Sequence, residues 1–227
     1  MVTTFRRARS EEQREQRRRA ILDTAAEMLT EMPVAQVSLN ELSRRVGLAK
    51  SNVLRYFESR EAVLLDLFDT ATQDWLATLR GELADAITPE AGPLERGDQL
   101  AAALAASLST RPVLCDLVSN HAAVLEHNVS PEVAARYKRA AMANVGVLVG
   151  MLLEHLPELG ERDATRFAMA ALMVTGAVWT YACPAPAMVA VYESDPALAA
   201  MRLDFTTTLR ETFEVLVAGL LARQSRA

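Results

Sequence analysis

An all-α fold of about nine helices is expected for this chain of 227 residues, and three observations carry it. Alanine, leucine and arginine recur throughout while aromatics make up only 5% of residues, a balance that favours helices over sheet. Glycine and proline are sparse, at nine each, so few backbone breaks interrupt the apolar spacing. No stretch shows convincing period-two alternation, and no internal repeat is present. The length suits one large helical domain or a small one joined to a larger one, and either buries a real core.

Caps and breakers divide the chain in order. The first helix is expected over 10–31, from a capping box of Ser10 and Gln13 to a stop imposed by Pro33, with Ile21, Ala25, Met28 and Leu29 as its apolar stripe. A second capping box, Ser38 with Glu41, opens a two-turn helix that presents Leu39, Leu42 and Val46 and ends at Gly47, a residue suited to a left-handed turn. A third helix covers 50–57. Ser59 then caps a long helix over 62–87, ended by Pro89. Further helices are expected near 94–109, 112–127, 131–156, 161–182 and 198–222, with Ser130 as cap and Pro131 as first-turn residue of the third of these.

Charge is divided unevenly. Residues 1–60 hold 12 Lys and Arg against 8 Asp and Glu, a net of +4, whereas residues 61–227 hold 12 against 21, a net of −9. A basic end on an acidic protein points to a polyanion contact, although a basic run also serves merely to solvate a helix. Cys115 and Cys183 lack CxxC spacing, and the polar start MVTTFRRARSEEQREQRRR contains no signal peptide, so a reduced, cytoplasmic protein is expected. The uncharged run 167–192 is long enough for a bilayer, but Pro184 and Pro186 break it and it is rich in alanine and threonine. A helix buried in a core or subunit interface is the expectation there, with no membrane role.

The stretch VSLNELSRRVGLAKSNVLRYF over 37–57 has the physical pattern of a helix-turn-helix: a two-turn helix, a turn at Gly47 and Leu48, then a short helix with Val53 and Phe57 facing inward. Ser51 with Arg55, and Asn52 with Tyr56, are i, i+4 pairs on the opposite face. Arginine matches the guanine edge and asparagine the adenine edge, while hydroxyls and lysine fix phosphates. An ordinary surface hairpin of helices would show the same turn.

The run LNELSRRVGLAKSNVLRYFESREAVLLDLF resembles the amino-terminal DNA-binding domain of the TetR family of transcriptional regulators. The likeness extends over about residues 10–70 and is carried by Tyr56 and Phe57, Ser59, Arg60 and Glu61, and the leucine-rich start of the next helix. It implies a DNA-binding domain over 1–60 with a basic arm, and a ligand-binding and dimerisation domain over 61–227 whose ligand loosens the grip on DNA. Two positions depart from the pattern. Ala49 stands where Ser or Thr usually caps the recognition helix, worth about 1 kcal/mol, and Leu54 stands where an aromatic is usual.

A two-turn recognition helix binds weakly alone, so two copies on a palindromic site are expected. Ala164, Ala168, Ala171, Thr175, Val178 and Ala182 recur at steps of four and three, and Phe205, Leu209, Phe213, Leu216 and Leu220 do likewise. Both stripes suit a four-helix interface between subunits; the alternative is that both face the monomer's own core. Asn120, His121, Met142, Asn144, Met173 and Trp179 are candidates for a pocket that takes an apolar or amphipathic small molecule. His121 and His127 lack metal-ligand spacing, so neither a metal nor a cofactor is expected.

An enzyme would need residues this chain lacks: no P-loop, HExxH, GxSxG or glycine-rich dinucleotide turn occurs, and His121, His127 and His155 have no evident nucleophile partner. The expected function is a ligand-responsive repressor that binds double-stranded DNA as a homodimer; the alternative is an adaptor whose helix-turn-helix binds protein. Arg55 and Asn52 are assigned to bases, Lys50, Ser51, Tyr56 and Arg60 to phosphates, Ser38 to the same surface, and Arg6, Arg7, Arg9 and Arg14 to arm contacts.

Overall fold

Eleven α-helices and no strand make up the described residues of the computed structural model, which are 2–121 and 126–224, without the side chains of 2–10 and of Gln224. They are α1 (Val2–Glu31), α2 (Leu39–Val46), α3 (Lys50–Val53), α4 (Arg60–Ala86), α5 (Pro93–Ser109), α6 (Pro112–Asn120), α7 (Pro131–His155), α8 (Gly160–Ala182), α9 (Pro186–Ser194), α10 (Pro196–Ala199) and α11 (Phe205–Gln224). The side chains of Arg6, Arg7, Arg9 and Ser10 lie outside the description.

Several boundaries differ from expectation: α6 ends at Asn120, with 122–125 of the expected 112–127 helix outside the described residues, and α11 begins at Phe205 instead of near 198. α1 begins at Val2, so Ser10 sits inside a helix and not at its start, because the preceding residues include neither proline nor glycine. α3 is a single turn, and residues 54–57 continue as turns through Arg55 N donating to Asn52 O at 3.2 Å and Tyr56 N to Val53 O at 2.9 Å. Pro186 and Pro196 start α9 and α10 instead of only ending what precedes them, as proline does when its missing N–H falls in a first turn. Among the described residues no single helix is long and apolar enough to cross a membrane.

The chain packs as two compact units, Met1–Thr70 with Asn120–Lys138, and Ala71–Ser119 with Arg139–Ala227. In the first, Ile21, Ala25 and Met28 of α1, Val34, Leu42 of α2, Val53 of α3, Phe57 and Leu64 of α4 form one buried core. The three-helix arrangement is thus fixed by removing these side chains from water.

In the second unit α11 is the central element, with α5 and α8 packed on it. Phe167 meets Phe213 edge-on at 5.7 Å and Trp179 meets Phe205 edge-on at 5.2 Å, so α8 and α11 run antiparallel. Gly97 lets α5 approach closely: a Cβ there would lie 2.6 Å from Val217 Cγ1. Val217 is buried and β-branched, so it has no free rotamer to yield. Gly97→Ala is therefore expected to lower unfolding free energy by about 1–3 kcal/mol, read as a reduced urea midpoint. Gly176 plays the same part against α6, where an added Cβ would sit 3.2 Å from Ser119 Cα. Arg96 closes the end of α7 by donating to His155 O at 2.5 Å and pairing with Glu158.

Candidate nucleic-acid interface

The turn between α2 and α3 is built by residues that can adopt it. Ser38 Oγ accepts from Glu41 N at 3.2 Å, and Gly47 takes φ 72°, the left-handed conformation that a residue with a Cβ resists. Leu48 N then donates to Ser43 O at 3.0 Å, which closes the end of α2. Only half of the expected capping box forms, because the Glu41 carboxylate is taken by Arg44 at 2.6 Å and by Arg45 at 3.0 Å. Ala49 makes no side-chain cap, in keeping with the shortness of α3.

Glu41 carries a pH signature. Hydrogen bonds from Arg44 and then Arg45 hold its carboxyl down at about 2, below the usual glutamate value of about 4.3. A depressed folded value means that the unfolded chain binds the proton more readily. Its stabilising contribution is whole above pH about 4.3 and is lost as pH falls toward 2. Glu41→Gln is expected to remove that part of the acid sensitivity, so that the stability gap from wild type narrows on going from pH about 5 to about 2. A constant gap across that window in thermal melts would contradict it.

With Val53 and Phe57 buried, Lys50, Ser51, Asn52, Leu54 and Arg55 are exposed and Tyr56 is half-buried. The turn structure after Val53 keeps Asn52 and Arg55 on the exposed side. They line an open cleft of about 220 Å³ together with Arg17, Leu48 and Tyr56. Beside it lies a larger cleft of about 660 Å³, formed by Gln13, Arg14, Gln16, Arg17, Arg55 and Tyr56. Cationic and amide side chains from two elements thus converge. Gln13, Gln16 and Arg17 were not among the expected contacts, although Arg14 and Arg17 at i, i+3 mark one face of α1. What was missing is that this face adjoins Arg55, a tertiary fact.

Ser38 is exposed at the edge of α2, but its hydroxyl already serves as the cap. Arg60 is tied into its own unit. Its Nη2 donates to Val34 O at 2.8 Å and the guanidinium lies 3.9 Å from Glu61, so it is held inside the first unit instead of standing free for a phosphate. Ser59 caps α4 as expected, its Oγ accepting from Ala62 N at 3.1 Å.

The residues expected at a subunit contact lie in the second unit. Ala164, Ala168, Ala171, Thr175 and Val178 of α8 and Leu209 of α11 are buried inside the second unit, and Phe205 and Leu216 are half-buried. These positions face their own core, because the small side chains of α8 admit the close approach of α11 and α6. The exposed apolar face of α8 is the opposite one, with Met169, Met173, Ala177 and Tyr181. On α11 the exposed positions Val215, Gly219 and Ala222 form a smooth strip at steps of four and three.

The pocket candidates divide similarly. Asn120 and His121 belong to the first unit, where the His121 ring lies 5.7 Å from Phe68, and the other four belong to the second. Met142 and Met173 are 74% and 65% exposed, which places them on the surface of that unit. Asn144 and Trp179 are half-buried. Among the described residues, no group of three or more His, Cys, Asp or Glu could hold a metal.

Comparison with known proteins matches most of the chain. Residues 21–67 match the family described as bacterial regulatory proteins, tetR family, and residues 69–224 match the tetracyclin repressor-like C-terminal domain. The HTH-type transcriptional regulator EthR of Mycobacterium tuberculosis is 42% identical over 50 residues, 22% of this chain and 23% of that protein. The chain therefore aligns with about a quarter of the length of the curated relatives it matches. A protein of Streptomyces coelicolor A3(2), described as a possible TetR family transcriptional regulator, shares the fold with TM-score 0.60 and 22% identity, over 90% of this chain and 98% of that one. FadR of Bacillus subtilis, solved in complex with stearoyl-CoA, has TM-score 0.55 and 16% identity, over 88% and 97%.

Proposed function

Since the chain belongs to the TetR family of bacterial regulatory proteins, we propose that it is a ligand-responsive transcriptional repressor which binds a palindromic operator as a homodimer. The observation that carries this is the convergence of Arg14, Arg17 and Arg55 with Asn52 and Tyr56 on the exposed side of the helix-turn-helix. Three guanidiniums beside an amide and a phenol suit duplex DNA, with phosphates neutralised around base edges. In this assignment Arg55 and Asn52 read bases, Lys50, Ser51, Tyr56, Arg14 and Arg17 hold phosphates, and Arg60 orients the domain from within. The functional division is a DNA-binding domain over 1–60 and an effector and dimerisation domain over 61–227.

The dimer is formed by the exposed faces of α8 and α11, with Met173 and Val215 near its centre and the smooth strip of α11 allowing close contact. The effector is a small apolar or amphipathic molecule. Support comes from the apolar make-up of the second unit and from the fold's capacity, in B. subtilis FadR, to bind stearoyl-CoA. Effector binding shifts the equilibrium between two spacings of the recognition elements, with a coupling of about 1–3 kcal/mol. A cytoplasmic regulator needs no catalytic group. Burial pushes the Cys115 thiol up to about 12, as suits a core cysteine.

Two substitutions separate the roles. Arg55→Ala is expected to cost about 1–3 kcal/mol on the preferred duplex and to blur preference at one base position. Arg17→Ala is expected to weaken all duplexes alike and to reduce the slope of log affinity against log salt by about 0.9. Equal losses on every sequence for Arg55→Ala would contradict its base-reading role. Binding without any salt dependence would favour a protein-binding adaptor instead.

A further inference from the structure

Outside the recognition face, the first unit contains a chain of ion pairs that DNA contact does not explain. Arg18 of α1 lies with its guanidinium 4.4 Å above the Phe57 ring and donates from Nη1 to Tyr56 O at 3.4 Å. Its Nη2 pairs with Asp66 Oδ2, and the other Asp66 oxygen accepts from Arg136 Nη2 at 3.2 Å. Asp66 is only 18% exposed at its side chain, whereas Arg136 is 55% exposed. Arg136 belongs to the first turns of α7, and a second tie secures the same turns: Glu58 Oε1 accepts from Ser130 N at 2.5 Å. Tyr137, also there, is buried with its ring 6.1 Å from that of Phe68.

We propose that Asp66 is a positioning residue that ties the start of α7 to the end of the recognition segment through Arg136 and Arg18, so that DNA affinity depends on side chains that never touch DNA. Tyr56 and Phe57 set where the recognition segment ends, and one guanidinium contacts both, its carbon over the ring and one nitrogen on the carbonyl. The same guanidinium bonds Tyr56 O through one terminal nitrogen and Asp66 through the other, so losing the carboxylate removes its charged anchor. Without the carboxylate, Arg18 and Arg136 would face each other as like charges. Burial and the nearby Arg136 already lower the Arg18 value. The tie therefore reaches the recognition segment from residues well outside 1–60.

The inference rests on the proposed DNA-binding role for its affinity readout, and amide exchange tests it without DNA. Full-length wild type, Asp66→Asn and Arg136→Ala would be compared by hydrogen exchange, then titrated at several salt concentrations with a duplex selected from a random pool. Asp66→Asn is expected to raise exchange at residues 53–57 by about five- to thirty-fold, with Arg136→Ala doing so less and α5 and α11 unchanged. Arg136→Ala is expected to bind the duplex several-fold more weakly with the salt slope unaltered. Unchanged exchange at 53–57 in both variants would overturn the proposal, as would a slope reduced by about 0.9 in Arg136→Ala, which marks a direct phosphate contact. If wild type binds no duplex, the DNA-binding role fails while the exchange result still decides the tie. Should Asp66→Asn not fold, the more exposed Arg136→Ala provides the decision.

Discussion

Glutamates introduced together as Met173→Glu and Val215→Glu are expected to convert the protein into monomers and to lower operator affinity about 10²–10⁴-fold. Both side chains project from the second unit, at 65% and 72% exposed, so the exchange leaves the monomer's own packing intact. On a two-fold surface each substitution meets its own copy or its neighbour's, which places like charges in a desolvated apolar contact. Affinity falls because one recognition element no longer raises the effective concentration of the other at the adjacent half-site. Sedimentation would separate the species, and melting of the monomer should remain cooperative. A variant that stays dimeric would move the interface away from these faces of α8 and α11.

Phe213→Ala is expected to destabilise the second unit by about 3–5 kcal/mol. Phe213 is fully buried on α11, edge-on to Phe167 of α8, and its neighbours one turn away, Leu209 and Val217, are buried too. Removing the ring loses its transfer energy and leaves a cavity that a helix pinned by α5 on one side and α8 on the other cannot close. Against a typical total of about 5–15 kcal/mol, this is a large fraction. Urea unfolding followed by Trp75 and Trp179 fluorescence would show it as a lowered midpoint. A change below about 1 kcal/mol would mean that the site collapses freely.

The order and most ends of the long helices were legible because caps, prolines and apolar spacing are local signals, whereas α9 and α10 were not expected. The helix-turn-helix could be placed on the same basis, with Gly47 left-handed and Val53 and Phe57 buried as their spacing required. What local signals do not carry is tertiary. Periodicity marks a face of α8 as smooth and apolar but does not say what covers it, and α8 has two such faces. The small one with Ala164, Ala168 and Ala171 admits its own neighbours, while the larger side chains of Met169 and Met173 are left outside. Arg60 has a sequence neighbourhood that suits a phosphate, yet Val34 O lies within its reach, 26 residues away in the chain. Arg17 and Arg136 acquire meaning only when α1 and the start of α7 are placed beside the recognition segment. Met142 and Met173 stand exposed, and composition distinguishes apolar from polar side chains, not buried from exposed ones.

We propose that this protein reads a two-fold symmetric DNA site with paired helix-turn-helix domains. Selection of duplexes from a random pool by the purified full-length protein, repeated at two salt concentrations, tests it most directly. The expected result is enrichment of an inverted repeat whose half-sites lie about one helical turn apart, or a multiple of it, with affinity falling steeply as salt rises. Absence of an enriched motif together with salt-insensitive binding would contradict it.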